Sequence, residues 1–288
     1  MPSAGAQHAS LVVVANRLPI TRVEDAGAGK WVTSPGGLVS ALKPAMTDLD
    51  GVAWLGWTGE QTDSTLATFE HDGLRLVPIA LSEQEHQLHY EGMSNSTLWP
   101  LYHGKIEPPE FHRHWFDGYR KVNHRFATAA AEAAAPGALV WIHDYQLQLV
   151  PGMLRELRPD LRIGFFLHIP FPSPELFMQL PWRNELVTAM LGADLLGFQA
   201  PADATNFHRL ARALGLATRS GSSGLEFAHR AVNVRSFPIG IDYQRYHHAA
   251  LEPDVLEQSR TLRSQLGDPD VVLLGVDRLD YTKGIDLR

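Results

Sequence analysis

Short apolar runs recur along the chain, and most are followed by a stretch in which the apolar residues keep helical spacing. This alternation is typical of a parallel β-sheet covered by helices, and runs without regular polar positions indicate strands buried on both faces. The predicted strands span residues 11–15, 52–56, 74–79, 139–142, 162–167, 194–198, 232–237 and 271–276. The pattern therefore predicts an α/β fold built on a parallel sheet.

Signals that begin and end helices lie between these strands. Ser82 and Glu85 form a capping-box pair, in which each side chain bonds the backbone N–H of the other. The alanine-rich stretch 127–135 continues a helical pattern that the Pro-Gly pair at 136–137 is expected to end. Residues 220–224 consist of serine and glycine and predict a flexible hairpin or a loop. These signals separate the strands, as the α/β pattern requires.

The chain is expected to divide near residue 250. Residues 1–250 hold seven of the predicted strands and form a Rossmann-like domain, whereas 251–288 hold a polar helix at 253–266, the strand 271–276 and a short loop. A helix, a strand and a loop cannot bury a core of their own. Residues 251–288 are therefore expected to be the opening of a second domain, truncated after its first strand.

The charge and composition of the chain exclude several classes of protein. The 288 residues carry 25 Lys and Arg against 32 Asp and Glu, a formal net charge of −7, which disfavours binding to nucleic acid or to a membrane surface. The absence of cysteine excludes disulfides, thiolate metal ligands and a cysteine nucleophile. The chain also lacks a membrane-spanning apolar run and a secretory signal pattern. A cytoplasmic protein is therefore expected.

Polar or aromatic side chains follow several predicted strands directly, at the point where each strand ends. In an open parallel sheet the ligand cleft lies outside the carboxyl ends of the strands, so these positions are the first candidates for a binding site. They are Asn16, Arg17, Trp57, His143, Asp144, His168 and Arg278. Each one alone also has a structural explanation, as a helix cap or a loop filler, but together they favour a shared cleft.

A pair of glycines, Gly36 and Gly37, precedes a predicted helix through Leu38 and Met46. Paired glycines let a phosphate approach backbone N–H groups at a helix N-terminus, although a plain turn explains the pair equally well. The stretch 27–30, with the sequence GAGK, completes neither a dinucleotide motif nor a P-loop, because the residues that follow are Trp and Val. The glycine pair therefore remains the candidate phosphate loop.

Fourteen histidines raise the question of a metal site. Close pairs occur at positions 86 and 89, 112 and 114, and 247 and 248, but no HExxH signature is present and no pair joins an acidic ligand pattern. Histidines on the surface or on a helix face are expected instead, and no metal is expected. A G-x-S-x-G elbow is also absent, which leaves serine hydrolysis without support.

Aromatic residues gather near the predicted polar edge, among them Trp57, Tyr90 and Trp99. Such rings either fill core volume or offer flat faces to the C–H surface of a sugar. Arg17 lies in the same region of the predicted fold, and its planar guanidinium suits a phosphate group. The rings and the cation together indicate a phosphorylated sugar as the ligand.

Eight strings along the chain carry a resemblance to a known family. They are VANRLP at 14–19, SPGGL at 34–38, WLGWTG at 54–59, SNSTLWP at 94–100, WIHDY at 141–145, GFFLHIPFP at 164–172, LLGFQ at 195–199 and DRLDYTKG at 277–284. As an ordered set spanning nearly the whole chain they resemble the trehalose-6-phosphate synthase family, glycosyltransferase family 20. A set of this length is far more specific than any single motif in it.

The resemblance implies a GT-B glycosyltransferase, in which two Rossmann-like domains face each other across a cleft. It implies retaining transfer of glucose from a nucleoside-diphosphate glucose to glucose 6-phosphate, which gives α,α-trehalose 6-phosphate. UDP-glucose is the first expectation for the donor, with GDP-glucose and ADP-glucose as alternatives. The reaction is expected to occur on one face of the sugar and without a metal or other cofactor.

The resemblance also implies roles for particular residues. The implied acceptor-binding residues are Arg17, Trp57, Tyr90, Trp99 and Asp144. The implied donor-binding residues are Gly36, Gly37, His168, Arg278 and Lys283. Four of these residues are implied to be catalytic, namely His168, Asp144, Arg278 and Lys283.

Other readings of the same resemblance stay open. A non-catalytic homologue that senses sugar phosphate, a glucosylglycerol-phosphate synthase and a pseudoglycosyltransferase would share the fold. The second domain of the family carries the pocket for the nucleotide base, so the chain as given is expected to show little or no transfer. Its expected partners are its two small-molecule substrates, and a homo-oligomer stays open.

Overall fold

The computed structural model describes residues 8–25, 28–34, 38–39, 42, 46, 49–64, 66–104, 109–221 and 224–285. The chain divides into two compact units, Met1–Phe237 and Pro238–Arg288. The boundary expected near residue 250 lies inside the second unit and stays a prediction.

The first unit is built on one large sheet. The strands of the described residues are β1 (Ala9–Arg17), β2 (Ile20–Asp25), β3 (Ala28–Thr33), β4 (Val52–Gln61), β5 (Phe69–His71), β6 (Leu74–Leu81), β7 (Ala134–His143), β8 (Arg162–Leu167), β9 (Leu195–Phe198), β10 (Thr218–Ser220), β11 (Gly224–Phe227) and β12 (Arg230–Ser236). The sheet order is β10-β11-β12-β9-β8-β7-β1-β4-β6-β5, and β2 pairs with β3 alone. From β12 to β6 every neighbouring pair is parallel. The predicted α/β fold with a parallel sheet is confirmed.

Strand β1 shows why these apolar runs form the centre of the sheet. Val12 and Val14 belong to the larger hydrophobic core, while Val13 and Ala15 belong to a second core on the opposite face. Successive side chains of a strand point to opposite faces, so a strand covered on both sides needs an unbroken apolar run. The larger core also receives the helix residues Phe116 and Phe126.

The helices of the first unit connect and cover these strands. Those whose bounds lie within the described residues are α1 (Glu83–His86), α2 (Trp99–Tyr102), α3 (Arg113–Ala133), α4 (Val150–Leu157), α5 (Pro174–Phe177), α6 (Arg183–Met190) and α7 (Pro201–Ala213). The predicted capping box starts α1, because Ser82 Oγ accepts from the N–H of Glu85 and Glu85 Oε2 accepts from the N–H of Ser82, both at 3.2 Å. No helix in the described ranges is both long and apolar enough to cross a membrane.

The segment Gln87–Leu98 is wound as a π-helix, in which hydrogen bonds reach five residues along the chain. The hydroxyls of Ser94 and Ser96 reinforce this winding, because they donate to the carbonyl oxygens of His89 and Glu91 at 2.7 and 2.9 Å. Wide turns of this kind are rare and occur frequently at functional sites. Nothing in the apolar spacing of the segment predicts them.

One sequence prediction about the end of an element is wrong, and several short elements were missed. Helix α3 ends at Ala133, and the Pro-Gly pair at 136–137 lies inside β7, because Ala134 already pairs with Ala9 of β1. The short antiparallel strands at the sheet edges and the β2–β3 hairpin were not predicted. Residues 220–224 do form a hairpin, since Ser220 of β10 pairs with Gly224 of β11.

The second unit contains α8 (Tyr243–Ala249), α9 (Pro253–Gln265) and a short 3₁₀ turn, Tyr281–Lys283. The polar helix predicted at 253–266 is confirmed by α9. The strand predicted at 271–276 is wrong, because these residues pair with no strand in the described part of the chain, and Leu273 is 93% exposed. An isolated apolar run has no ladder to join, so its β propensity alone does not make a strand.

Candidate functional site

The order of the sheet reverses between β1 and β7. From β1 the chain proceeds to β4 and β6 on one side, whereas β7, β8, β9 and β12 follow one another on the other side. Such a reversal opens a crevice at the carboxyl ends of the strands, where α/β proteins bind their ligands. Arg17 ends β1, and Asp144 follows the end of β7. The predicted polar edge therefore coincides with the switch point of the sheet.

Arg17 is held at this crevice by the strand beside it. Its carbonyl oxygen accepts a hydrogen bond from Trp54 Nε1 at 3.1 Å, and its guanidinium carbon lies 4.7 Å from the centroid of the Trp57 ring. The guanidinium also occupies the space that a Cβ on Gly59 would need. Partial burial lowers the pKa of Arg17, with the nearby Tyr90 hydroxyl acting in the opposite direction. An arginine remains charged at neutral pH all the same.

Three rings gather next to Arg17. The centroid of His86 lies 4.8 Å from that of Trp57 and 5.1 Å from that of Tyr90, and the Trp57 and Tyr90 centroids are 6.5 Å apart. Trp57 is fixed by a 2.8 Å hydrogen bond from its Nε1 to the carbonyl oxygen of Glu60. A cation thus shares one corner of the crevice with the half-buried rings of His86 and Tyr90, which pack against the buried Trp57.

Asp144 has an unusual backbone conformation, with φ +74° and ψ 171°. Positive φ is uncommon for a residue with a side chain and is found at turns and functional sites. The N–H of Asp144 donates to the carbonyl oxygen of Phe166 at 2.8 Å, and its Oδ1 accepts from the N–H of His168 at 3.0 Å. These bonds tie the carboxylate to the end of β8.

A buried polar network holds the turn that follows Asp144. The Tyr119 hydroxyl donates to the carbonyl oxygen of Tyr145 at 2.6 Å and accepts from the N–H of Gln148 at 3.0 Å. Tyr102 donates to Gln148 Oε1 at 2.6 Å. Burial raises the pKa of both Tyr102 and Tyr119 well above the usual range, so both hydroxyls remain donors. The network fixes the backbone from which the Asp144 carboxylate projects.

Trp99 lies beside the same turn. Its ring centroid is 5.5 Å from that of Tyr145 and 4.1 Å from that of His103. The Tyr145 hydroxyl donates to Asn95 Oδ1 at 3.0 Å, which connects the turn to the π-helical segment. Trp99 therefore packs against Tyr145, the residue that directly follows Asp144.

His89 connects the π-helical segment to the end of β1. Its ring is fully buried, its Nε2 lies 3.4 Å from Asn16 Oδ1, and its centroid lies 5.3 Å from that of Tyr119. Burial lowers the pKa of His89 to about 3, with the neighbouring His86 acting in the same direction. Of the two alternatives that were expected for the histidines, surface or helix face, His89 takes the helix face, on the buried side of the segment Gln87–Leu98.

His168 follows β8 and is half-buried. Its Nε2 lies 3.0 Å from Nδ1 of His143, a residue that is 1% exposed. Burial lowers the pKa of His168 to about 4, and burial together with His168 lowers that of His143 well below its usual value. Both imidazoles are therefore neutral at neutral pH.

Arg278 and Lys283 belong to the second unit. Arg278 lies in an exposed segment without regular structure, and Lys283 closes the turn Tyr281–Lys283. Desolvation raises the pKa of Asp280, but bonds from Thr282 and the two cations outweigh it and lower that pKa overall. The two cations thus lie within electrostatic reach of one carboxylate. Gly36 and Gly37 lie outside the described residues.

The structure brings most of the predicted first-unit residues together in two groups. Arg17, Trp57 and Tyr90 form one contacting group, and Asp144 contacts His168 in the other, with Trp99 beside it. Sequence reasoning missed the parts played by His86, Asn95 and Tyr145. Asn95 and Tyr145 lie inside the quoted motifs, and His86 lies four residues before Tyr90, which places both on one helical face.

No cluster of three or more His, Cys, Asp or Glu residues suited to a metal ion occurs within the described ranges. Fold and site together define an α/β protein of the doubly wound class, with cationic, aromatic and acidic groups collected at its switch point. This arrangement suits a small polar ligand that carries a phosphate.

Comparison with known proteins narrows this class. The model of the family described as Glycosyltransferase family 20 matches residues 9–288. A trehalose-6-phosphate synthase of Mycolicibacterium gilvum (strain PYR-GCK) is 52% identical over 294 residues, covering 97% of this chain and 58% of that protein. The crystal structure of a UDP-forming α,α-trehalose-phosphate synthase from Burkholderia vietnamiensis matches with a TM-score of 0.80 and 32% identity, over 96% of this chain and 58% of that one.

A third match holds a ligand. It is a UDP-forming α,α-trehalose-phosphate synthase from Burkholderia xenovorans in complex with glucose-6-phosphate, with a TM-score of 0.73 and 29% identity, over 89% of this chain and 55% of that one. The chain belongs to glycosyltransferase family 20. The structural matches also confirm the predicted GT-B fold. The chain spans 58% of the length of the Mycolicibacterium relative.

Proposed function

We propose that this protein takes part in the retaining transfer of glucose from a nucleoside-diphosphate glucose to glucose 6-phosphate, which forms α,α-trehalose 6-phosphate. The observation that carries the proposal is the Arg17 guanidinium, held 4.7 Å from the Trp57 ring centroid at the switch point of the sheet. A fixed fork-shaped cation beside aromatic rings matches a phosphate ester on a sugar. The relatives named above support the same substrate class.

The acceptor site is proposed to consist of Arg17, Trp57, Tyr90, Trp99 and Asp144. Arg17 and Tyr90 would bind the 6-phosphate, because their side chains lie close enough for the phenol to affect the pKa of the guanidinium. The Trp57 and Trp99 rings would border the sugar ring. Asp144 would accept a hydrogen bond from an acceptor hydroxyl and thereby orient it for attack.

From the family resemblance, the proposed donor-binding residues are Gly36, Gly37 and His168 in the first unit and Arg278 and Lys283 in the second. His168 would bond the transferred glucose, while Arg278 and Lys283 would stabilise the charge that develops on the leaving diphosphate. The acceptor hydroxyl would enter on the face from which the diphosphate leaves, and a phosphate oxygen would take its proton. Asp144 would then orient the acceptor without forming a covalent bond.

The donor is proposed to be UDP-glucose. The Burkholderia relatives are described as UDP-forming, and this description supports the uridine nucleotide. GDP-glucose and ADP-glucose are the alternatives, and competition among the three sugar nucleotides in a turnover assay of an enzyme that contains both family domains would separate them. The absence of cysteine in 288 residues fits a reducing compartment, and we propose the cytoplasm.

Calorimetric titration with glucose 6-phosphate tests the acceptor site in the chain as it stands. We expect binding that Arg17→Ala weakens about 100-fold, because losing two charge-assisted hydrogen bonds costs about 3 kcal/mol. Glucose without the phosphate should bind far more weakly to the wild-type chain. The loss should change the free energy of unfolding by no more than about 1 kcal/mol, since the guanidinium is only partly buried.

Arg22→Ala is the matched control. Arg22 lies on β2, half-exposed, with its Nη1 3.8 Å from Glu60 Oε1, and it contacts none of the proposed acceptor residues in the contacts described above. We expect this variant to bind glucose 6-phosphate as the wild type does. Absence of binding by the wild-type chain, or an equal loss in both variants, would contradict the acceptor site.

Metal independence gives a separate prediction. Binding of glucose 6-phosphate is expected to be the same in EDTA and in millimolar Mg²⁺, because Arg17 supplies the counter-charge for the phosphate directly. The check is a paired titration in the two buffers. A large gain in affinity with Mg²⁺ that EDTA reverses would show that the phosphate is bound through a metal ion.

A further inference from the structure

We propose that His143 is a positioning residue that fixes the tautomer of His168, so that His168 offers its Nδ1–H as a hydrogen-bond donor in the crevice. The identity of the ligand that takes this hydrogen bond rests on the proposed function above. The tautomer itself does not, because it follows from the contacts of the two rings in the protein without ligand.

Only one of the two facing ring nitrogens of His143 and His168 carries a hydrogen. Nδ1 of His143 and Nε2 of His168 are 3.0 Å apart, which is hydrogen-bond distance, and in two neutral rings only one of these nitrogens can carry the proton. Burial keeps both rings neutral by lowering the pKa of each. If His143 donates, then His168 carries its proton on Nδ1, and if His168 donates, its Nδ1 is an acceptor.

The far nitrogen of His143 decides between these arrangements. His143 Nε2 is buried and has no hydrogen-bond partner in the described part of the chain. If His168 were the donor, this atom would carry an N–H buried without an acceptor, and orphaned N–H groups are the rarest defects in protein interiors. If His143 donates from Nδ1, the atom carries only a lone pair. The second arrangement costs less and leaves the proton of His168 on Nδ1.

Aromatic neighbours restrict the orientation of both imidazoles. Trp141 and His143 lie on the same face of β7, with ring centroids 4.6 Å apart. Phe166 in β8 and His168 directly after that strand have the same two-residue spacing, and their centroids are also 4.6 Å apart. Gly197 on the next strand leaves room for this row, because a Cβ there would approach Phe166 Cδ2 to 2.6 Å. A rotation of either imidazole would have to displace an aromatic neighbour.

The chemical consequence is a neutral donor of fixed direction. His168 Nε2 is occupied by His143, so Nδ1 is the ring atom left to meet a ligand. A neutral N–H suits an oxygen acceptor such as a sugar hydroxyl. The backbone N–H of His168 is already bonded to Asp144 Oδ1, which ties the same residue to the other group of the site.

The tautomer can be measured directly. Two-bond ¹H–¹⁵N correlation spectra of the ¹⁵N-labelled chain report which ring nitrogen of each histidine carries the proton. We expect both His143 and His168 to be protonated on Nδ1 and unprotonated on Nε2 in the protein without ligand. Protonation of both rings on Nε2 would overturn the proposal, whatever the outcome of the binding assays.

Two variants separate positioning from packing. His143→Asn keeps an N–H close to the position of Nδ1 and should leave His168 in the Nδ1–H form. His143→Leu keeps apolar bulk but removes the donor, so the ¹⁵N resonance of His168 Nε2 should lose the shift that an accepted hydrogen bond gives it in the wild type. An unchanged Nε2 resonance in His143→Leu would overturn the proposal. If that variant does not fold, the wild-type and His143→Asn spectra still decide the question.

Discussion

Acidification is expected to unfold this protein at a pH well above the range in which its carboxylates titrate. The cause is a set of buried neutral histidines, His89, His143 and His168, whose pKa values burial holds below the ordinary value of 6.5. The unfolded chain binds these protons near pH 6.5, whereas the folded chain does not bind them until about pH 4 for His168 and about pH 3 for His89. The stability they contribute is therefore complete above pH 6.5 and is lost as the pH falls below it.

We expect the free energy of unfolding to fall steeply as the pH is lowered below 6.5. Each histidine that must gain a proton on unfolding changes the free energy of unfolding by about 1.4 kcal/mol per pH unit, so three change it by about 4 kcal/mol per unit. Since a typical domain has only about 5–15 kcal/mol of stability, about one to four pH units suffice to unfold it. Glu85, whose pKa the Arg125 hydrogen bond holds at about 2, contributes only at lower pH.

Urea unfolding at pH 8, 7, 6 and 5 checks this expectation. His89→Gln removes one buried imidazole and should reduce the slope below pH 6.5 by about 1.4 kcal/mol per unit. His112→Gln is the matched control, because it replaces an exposed histidine beside Glu110 and leaves the three buried rings in place. Stability that does not change between pH 7 and pH 5 would contradict the role given to the buried rings.

Replacement of Gly56 by alanine is expected to destabilise the first unit by about 3 kcal/mol or more, at the upper end of the cost of overpacking. Gly56 lies in β4 against the end of β1, and a Cβ there would come within 2.5 Å of the carbonyl carbon of Arg17 and of the N atom of Leu18. Both neighbours are backbone atoms of a buried strand, so no side-chain rotation relieves the overlap. The methyl group fits only if β1 and β4 separate.

The matched control is Gly164→Ala in β8. A Cβ at Gly164 meets only Trp141 Cδ1, at the ordinary contact distance of 3.6 Å, and we expect a change within about 1 kcal/mol. Denaturant unfolding of both variants measures the difference, and titration with glucose 6-phosphate shows whether the shift of β1 also displaces Arg17. Equal stability of the two alanine variants would contradict the close approach of Gly56 to β1.

Hydrophobic spacing predicted the parallel strands well, because a strand buried on both faces must be apolar throughout. It could not predict the edge strands β5, β10 and β11, whose three or four residues are held by pairing with a neighbour. The same dependence explains why 271–276 was wrong, since an apolar run becomes a strand only where a partner strand exists. The β propensity of a segment depends on its own residues, whereas strand pairing depends on a second segment elsewhere in the chain.

The candidate site, like the fold, could be predicted only in part from the sequence. Arg17, Asp144 and His168 follow strands, and the topology of a parallel sheet places all such residues on one edge. Tyr90 and Trp99 were noted as aromatic residues near the polar edge, but their particular roles came only from the family resemblance, and His86 was not recognised as part of the site. Their positions depend on the π winding of Gln87–Leu98, which no apolar period marks.

Because the segment Gln87–Leu98 is wound as a π-helix, the geometry of the site also depends on how many residues the segment contains. Between its ends the segment presents His89 to Asn16, Tyr90 to the neighbourhood of Arg17, and Asn95 to Tyr145. A deletion that let the same stretch relax into an ordinary α-helix would rotate these side chains to new directions while leaving every one of them in the sequence. We therefore expect substitutions within the segment to be better tolerated than changes in its length.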